Sequence, residues 1–167
     1  MRADDEFHDQ IWELLVTSGA VGAVRSALNS VVILERLPRS AGATAWYVCG
    51  SEDELKLIVR EFHPGSSVSF YSDDRLSRTV YNPQVRSSVA GIIDRSGDAV
   101  IGEYHPGDLH LDMQVISDER ELDEFLATVG NATQMYFGAF PSPDNAGHSV
   151  VTIVLPDADG VVRSHPH

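Results

Sequence analysis

Two segments of this chain repeat one helix-forming pattern at an interval of 67 residues. Ser51 stands three residues before Glu54, and Asp118 stands three residues before Glu121. This is the capping-box spacing, in which each side chain binds an otherwise unpaired amide at the start of a helix. Apolar residues follow both caps at helical spacing: Leu55, Ile58, Val59 and Phe62 in the first segment, and Leu122, Phe125, Leu126 and Val129 in the second. The pattern predicts two equivalent amphipathic helices and indicates an internal duplication.

Segments with strand character flank both predicted helices in the same order. Two precede each helix and two follow it, with turn residues between them. The predicted strands before the helices are Val31–Leu37, Ala43–Cys49, Ala99–Tyr104 and Leu109–Ile116, and those after them are Ser66–Tyr71, Leu76–Tyr81, Thr133–Phe140 and His148–Leu155. We expect Ser66–Tyr71 and Leu76–Tyr81 to form a hairpin across the short polar turn that separates them.

A predicted helix also precedes each group of strands. Residues 4–17 and 20–29 lie before the first group, and a helix that begins at Asn82-Pro83 lies before the second. These helices share a short string, Val24-Arg25-Ser26 and Val85-Arg86-Ser87. We therefore expect an α+β fold of two similar β-β-α-β-β units with antiparallel sheet, each preceded by a helix and related by a pseudo-two-fold duplication.

The chain of 167 residues has the length of one ordinary domain. We expect a single domain over 1–167, with the first α-ββαββ half at 1–81 and the second at 82–167. No apolar run approaches the roughly 20 residues of a membrane helix. The acidic N-terminal segment argues against a secretion signal. A cytoplasmic location without membrane contact is therefore expected.

Acidic residues outnumber basic ones, with 25 Asp and Glu against 12 Lys and Arg and a net charge of −13. Nucleic-acid binding requires a basic surface, so this charge argues against it. Acidic charge keeps a protein soluble, and it also steers association with a basic partner. Cys49 is the only cysteine, which excludes an internal disulfide, and we expect a half-buried, inert thiol within a predicted strand.

The densest group of metal-ligand residue types lies in a predicted turn and the strand that follows it. Asp108, His110 and Asp112 alternate along the chain and so share one face of the strand, and His105 lies across the turn. Imidazole and carboxylate groups suit a divalent metal ion. The same alternation is typical of a sheet with one solvated face, and we favour that interpretation. No metal site and no cofactor are predicted.

Acidic turns supply the remaining candidates. Asp73, Asp74 and Arg75 lie in a predicted tight turn, and Asp144 lies in a predicted loop. Carboxylates at the rim of an interface accelerate the capture of a basic target. The predicted partner-binding residues are therefore Asp73, Asp74, Arg75, His105, Asp108, His110, Asp112 and Asp144. The sequence contains no Gly-x-Ser-x-Gly elbow and no Walker-type loop, so no catalytic residue is predicted.

The second half of the chain contains a strand, a capped helix, two further strands and an acidic, glycine-bearing turn. These are Met113–Ile116, Asp118–Val129, Thr133–Phe140, His148–Leu155 and Asp157–Gly160. The arrangement resembles the small immunity proteins of bacterial polymorphic toxin systems, and the resemblance covers Tyr104–Val162. It implies a stoichiometric, non-catalytic inhibitor that blocks the active site of a toxin. It assigns no role to any single residue.

The leading hypothesis is an acidic cytoplasmic protein-binding module, an immunity-like or antitoxin-like inhibitor of a basic toxin or enzyme domain. One alternative is a small-ligand-binding or enzymatic domain with a site between the two halves, with or without a metal. Another is an accessory subunit whose sheet edge pairs with a second chain. The sequence does not define the oligomeric state.

Overall fold

The computed structural model describes residues 3–27, 30–38, 44–71, 76–130, 133–140 and 151–156. Over these ranges the protein has the expected α+β class, with five helices and eight strands. The helices are α1 (Ala3–Thr17), α2 (Ala20–Ser26), α3 (Glu52–Val59), α4 (Gln84–Ser96) and α5 (Glu119–Leu126). The strands are β1 (Val31–Arg36), β2 (Thr44–Cys49), β3 (Ser67–Tyr71), β4 (Leu76–Val80), β5 (Ala99–Tyr104), β6 (His110–Ile116), β7 (Gln134–Ala139) and β8 (Val151–Val154). None of the described helices is long and apolar enough to cross a membrane.

The chain forms two compact units, each with an antiparallel sheet. Unit 1 contains residues 1–72 and 149–167, and unit 2 contains residues 73–148. The strand order is β2-β1-β3-β8 in unit 1 and β6-β5-β7-β4 in unit 2. In both units a hairpin supplies the first two strands, and the strand that follows the capped helix lies third.

The fourth strand of each sheet comes from an unexpected part of the chain. β4 pairs with β7, and β3 pairs with β1 and β8. The predicted hairpin between Ser66–Tyr71 and Leu76–Tyr81 is therefore wrong. Turn residues show where a chain can reverse, but cross-strand packing selects the partner of a strand and acts over long sequence separations. The halves expected at 1–81 and 82–167 consequently do not coincide with the two units.

The helix that follows each hairpin begins at the predicted cap. Ser51 Oγ accepts a hydrogen bond from the N–H of Glu54 at 3.2 Å, and Asp118 Oδ1 accepts one from the N–H of Glu121 at 2.8 Å. Glu54 Oε1 also accepts from the N–H of Gly50 at 2.6 Å. Both caps thus satisfy amides that a helix start leaves unpaired.

The two sheets have corresponding registers. Ile33 on β1 lies opposite Tyr47 and Phe70, whereas Ile101 on β5 lies opposite Gln114 and Phe137. An edge contact also recurs, because the N–H of Leu155 donates to the carbonyl of Ser66 and the N–H of Tyr81 donates to the carbonyl of Thr133, both at 2.8 Å. Isoleucine and phenylalanine thus recur at corresponding positions of the two sheets, and Tyr47 of unit 1 corresponds to Gln114 of unit 2.

Each unit buries an apolar core between its helices and its sheet. In unit 1, α1 contacts α2 and α3, and in unit 2, α4 contacts α5, β5 and β7. Completely buried side chains of the unit 1 core include Ile11, Leu15, Ile33, Leu34, Leu55, Ile58, Val68 and Phe70. The unit 2 core contains Val85, Val89, Ala99, Ile101, Ile116, Leu122, Phe125 and Met135. The apolar stripes predicted for the capped helices therefore form core contacts.

Candidate functional site

Four of the predicted partner-binding residues, Asp73, Asp74, Arg75 and Asp144, lie outside the described residues. The other four, His105, Asp108, His110 and Asp112, lie on the turn between β5 and β6 and on β6, and all are exposed. The structure thus brings these four onto the solvated surface that their alternation predicts.

Two contacts in this group join residues that are close in the chain. Asp108 Oδ1 accepts a hydrogen bond from the N–H of His110 at 3.1 Å, and His105 Nε2 lies 3.5 Å from Glu103 Oε2. Over the described ranges, no three His, Cys, Asp or Glu side chains gather closely enough to hold a metal ion. The turn and strand therefore present separate polar groups to solvent.

The single cysteine is completely buried, whereas a half-buried thiol is expected from its place in the predicted strand. Cys49 Sγ lies 3.1 Å from the carbonyl oxygen of Ser51 and acts as a weak donor to it. Burial raises the pKa of the Cys49 thiol to about 11. Since the thiolate is the reactive form, this thiol is inert at neutral pH.

Unit 1 contains a buried carboxylate that is absent from the predicted site residues. Glu35 on β1 is completely inaccessible to solvent. Its Oε2 accepts from the backbone N–H of His63 at 2.6 Å and from Ser66 Oγ at 2.8 Å. Its Oε1 accepts from the Tyr47 hydroxyl at 3.2 Å. We call Glu35, Tyr47, His63 and Ser66 the Glu35 cluster.

The Glu35 cluster joins β1, β2 and the connection from α3 to β3. Tyr47 lies on β2, and His63 and Ser66 lie in the connection from α3 to β3. The His63 Nδ1 atom also lies 3.2 Å from Glu35 Oε2, while more than half of the His63 side chain is exposed. Burial, and then the negative charge of Glu35, raise the pKa of Tyr47. Because a buried carboxylate needs donors, the cluster holds β1 against this connection.

An arginine forms an ion pair with the capped helix in each unit. Arg25 Nη2 on α2 lies 2.6 Å from Glu52 on α3. Arg86 on α4 contacts Asp123 at 2.6 Å and Glu119 at 3.1 Å on α5. The hydrogen bonds from arginine lower the pKa of Glu52 and of Asp123. The shared Val-Arg-Ser string thus provides the arginine for a corresponding ion pair in each unit.

Three acidic residues of α1 lack such partners among the described residues. Glu6, Asp9 and Glu13 are exposed, and α1 contains no Lys or Arg. None of these three carboxylates lies within ion-pair distance of a cationic side chain in the described ranges. The helix therefore carries uncompensated negative charge on its solvent side.

An open groove of about 550 Å³ lies between α1 and the end of β8, within unit 1. We call it the α1–β8 groove, and it is lined by Gln10, Glu13, Leu14, Thr17, Val154, Leu155 and Pro156. The apolar side of α1 faces the core through Ile11 and Leu15, which leaves Leu14 38% exposed. Backbone bonds from Leu155 to Ser66 and from Gly65 to Pro156 hold the other wall in place.

The α1–β8 groove depends on residues that the sequence shows only indirectly. The spacing of residues 10, 13, 14 and 17 predicts one side of a helix, but only the tertiary structure places β8 beside it. Val154, which is 72% exposed, is the most solvent-accessible large apolar side chain at this edge. The sequence shows an acidic helix and an uncharged strand end, but these lie at opposite ends of the chain.

Comparisons with family models, curated proteins and solved structures give no match to this chain. Its fold and surface define an acidic α+β protein with an apolar groove bordered by uncompensated carboxylates.

Proposed function

We propose that this protein is an acidic, cytoplasmic protein-binding module that binds a basic partner and blocks it, as an immunity protein blocks its toxin. The uncompensated carboxylates on α1 carry this proposal. Glu6, Asp9 and Glu13 are exposed and unpaired with any cation of the described residues, beside exposed apolar side chains. A surface of this composition suits a protein interface with an apolar centre and a charged rim.

The acidic residues of α3 and α5 differ from those of α1 in their ion pairs, and this difference supports α1 as the binding surface. Arg25 pairs with Glu52 in the first turn of α3, and Arg86 pairs with Glu119 in the first turn of α5. Glu6, Asp9 and Glu13 of α1 have no such pair among the described residues, so they can meet a cation from another molecule. Exposed ion pairs contribute little affinity, about 0–1 kcal/mol each, but they accelerate encounter and select a basic surface.

The test uses the product of a toxin-domain gene adjacent to the gene of this protein. We expect a 1:1 complex in light scattering, inhibition of the toxin activity at equimolar protein, and an association rate that falls as salt is added. Absence of both an adjacent toxin gene and any stoichiometric partner from the native host would reject the proposal. Binding without inhibition would reject the blocking role.

We also propose that the chain arose by duplication of a helix-containing four-strand unit. The matching strand orders, registers, caps and arginine pairs support this origin. The ligand-binding or enzymatic alternative is a separate hypothesis. A copurifying metal ion, or stabilisation by a small molecule in a thermal-shift screen, would favour that alternative.

A further inference from the structure

We propose that the α1–β8 groove is the contact site for the basic partner, and that it receives a protein segment with an apolar side chain flanked by Arg or Lys. This inference rests on the proposed function and assigns it a place and a recognition chemistry. Three observations carry it. Two lie within unit 1, the exposed apolar lining and the adjacent carboxylates, and the third is the net charge of the whole chain.

The apolar lining provides the first argument. Leu14, Val154, Leu155 and Pro156 make up most of the groove wall, and Leu14 and Val154 remain substantially exposed. An apolar side chain that covers them removes this surface from water, which favours binding. The groove is open, so its shape suits a side chain projecting from a larger partner.

The carboxylates determine the partner's charge. Glu13 belongs to the groove wall. Asp9 precedes Glu13 by one helical turn, and Glu6 precedes Gln10 by one turn, so both lie along the same side of α1. A segment whose apolar residue enters the groove would therefore place neighbouring cations beside these carboxylates. Arg or Lys on the segment would meet negative charge that no described cation compensates.

The net charge argues against a second copy of the chain as the occupant. Each copy carries a net charge of −13, so two copies repel each other at this acidic border. A nucleic acid is repelled for the same reason. A basic protein segment satisfies both the apolar wall and the carboxylates.

The first experiment is an amide NMR titration of the full chain with the peptide acetyl-Leu-Arg-Leu-Arg-Leu-amide. We expect shift changes that cluster at residues 10–17 and 154–156. The analogues with Glu in place of Arg, or Ser in place of Leu, should produce much weaker changes at the same residues. Equal changes with either analogue, or changes that cluster elsewhere, would overturn the inference.

Matched variants test the two components separately. Val154→Thr keeps strand propensity at a highly exposed position, and Val80→Thr is its control at the corresponding end of β4, where Val80 is 49% exposed. Glu13→Gln removes one groove charge, and Glu124→Gln removes an exposed charge on α5. We expect Val154→Thr and Glu13→Gln each to raise the peptide dissociation constant about threefold or more, with little change in either control. Equal effects in variant and control would contradict the assignment.

The outcomes separate this inference from the proposed function. If a toxin partner forms a 1:1 complex that Val154→Thr and Glu13→Gln leave unchanged, the groove assignment fails and the inhibitor proposal stands. If no partner forms such a complex, the inhibitor proposal fails. A concentration-dependent dimer that Val154→Thr abolishes would show that the groove binds a second copy, which would also overturn the inference. Unchanged thermal unfolding of each variant would show that a change in its dissociation constant reflects binding and not a loss of folded protein.

Discussion

The central strands of the two units carry a glutamate at corresponding positions, yet the two side chains have different environments. Glu35 in unit 1 is completely buried and accepts hydrogen bonds from Tyr47, His63 and Ser66. The side chain of Glu103 in unit 2 is 28% exposed and lies 3.5 Å from His105. The same strand order therefore supports either a closed polar cluster or an open surface pair.

The second strands explain much of this difference. β2 buries four consecutive residues, Trp46 to Cys49, whereas β6 has four exposed positions among its seven residues. The donor Tyr47 corresponds in register to Gln114. Backbone pairing can be alike in two units while burial decides which polar contacts form, because hydrogen bonds gain importance only where water is excluded.

The largest expected effect concerns the boundaries of the units. A fragment of residues 73–148 contains the whole four-stranded sheet of unit 2, so we expect it to fold cooperatively. A fragment of residues 82–167 lacks β4 and should not fold cooperatively. In that fragment β7 has an unpaired edge, and the buried Leu76 side chain is missing. Circular dichroism and urea titration of both fragments test this. Cooperative unfolding of the fragment 82–167, with no transition for the fragment 73–148, would contradict the assignment of residues 73–148 to one unit.

The next effect separates the two glutamates. Glu35→Ala removes a buried acceptor of three hydrogen bonds, which come from the Tyr47 hydroxyl, the His63 N–H and the Ser66 hydroxyl, and we expect a loss of about 3 kcal/mol in the free energy of unfolding. Glu103→Ala should change that free energy by about 0.5 kcal/mol or less, because water replaces the lost contact. Urea unfolding measures both values. Equal losses of unfolding free energy in the two variants would show that burial does not determine how much each glutamate contributes to stability.

A smaller effect is expected at Gly102, which occupies the place on β5 that the buried Leu34 occupies on β1. A Cβ atom on Gly102 would collide with the Asp112 carbonyl oxygen and the Met113 side chain, and would lie 2.7 Å from Met113 Cα. We expect Gly102→Ala to destabilise the protein by roughly 1–3 kcal/mol. The control Gly22→Ala has open space on α2 and should stabilise it by about 0.5–1 kcal/mol. Thermal unfolding of the two variants measures both effects. A neutral Gly102→Ala would show that β6 can move away from β5 far enough to admit a methyl group.

The smallest effect is a pH dependence in unit 1. Burial raises the pKa of Tyr47 and of Tyr71 above the ordinary value of 10.0. Their contribution to stability is therefore complete below pH 10 and is lost as pH rises towards the folded-state pKa values. For Tyr47, whose pKa is raised strongly, the slope approaches about 1.4 kcal/mol per pH unit. Urea unfolding from pH 8 to 11 should show this decline, and Tyr47→Phe should reduce it. An unchanged slope in Tyr47→Phe would contradict the assignment to this phenol.

Local chemistry made several features predictable. The caps at Ser51 and Asp118, and the apolar stripes behind them, depend on contacts within a few residues, so spacing in the sequence reveals them. The solvated face of β6 followed from its alternation. These features recur in both units because short-range rules act on similar strings.

The features that involve distant residues were not predictable in the same way. The lone charge in the apolar run Val31–Leu37 was the available signal for the Glu35 cluster, but its donors come from β2 and from the connection after α3. The α1–β8 groove likewise needs β8 beside the first helix. Neither arrangement is encoded in the spacing of neighbouring residues.

By itself, the sequence determined the α+β class, the capped helices, the inert cysteine position and the excess of negative charge. Only the tertiary structure decided that β4 pairs with β7 and β8 with β3, and that Glu35 is enclosed while Glu103 is not. Helix caps and periodicity are set by interactions over three or four residues. Strand partners and buried polar contacts depend on which distant surfaces pack together and exclude water.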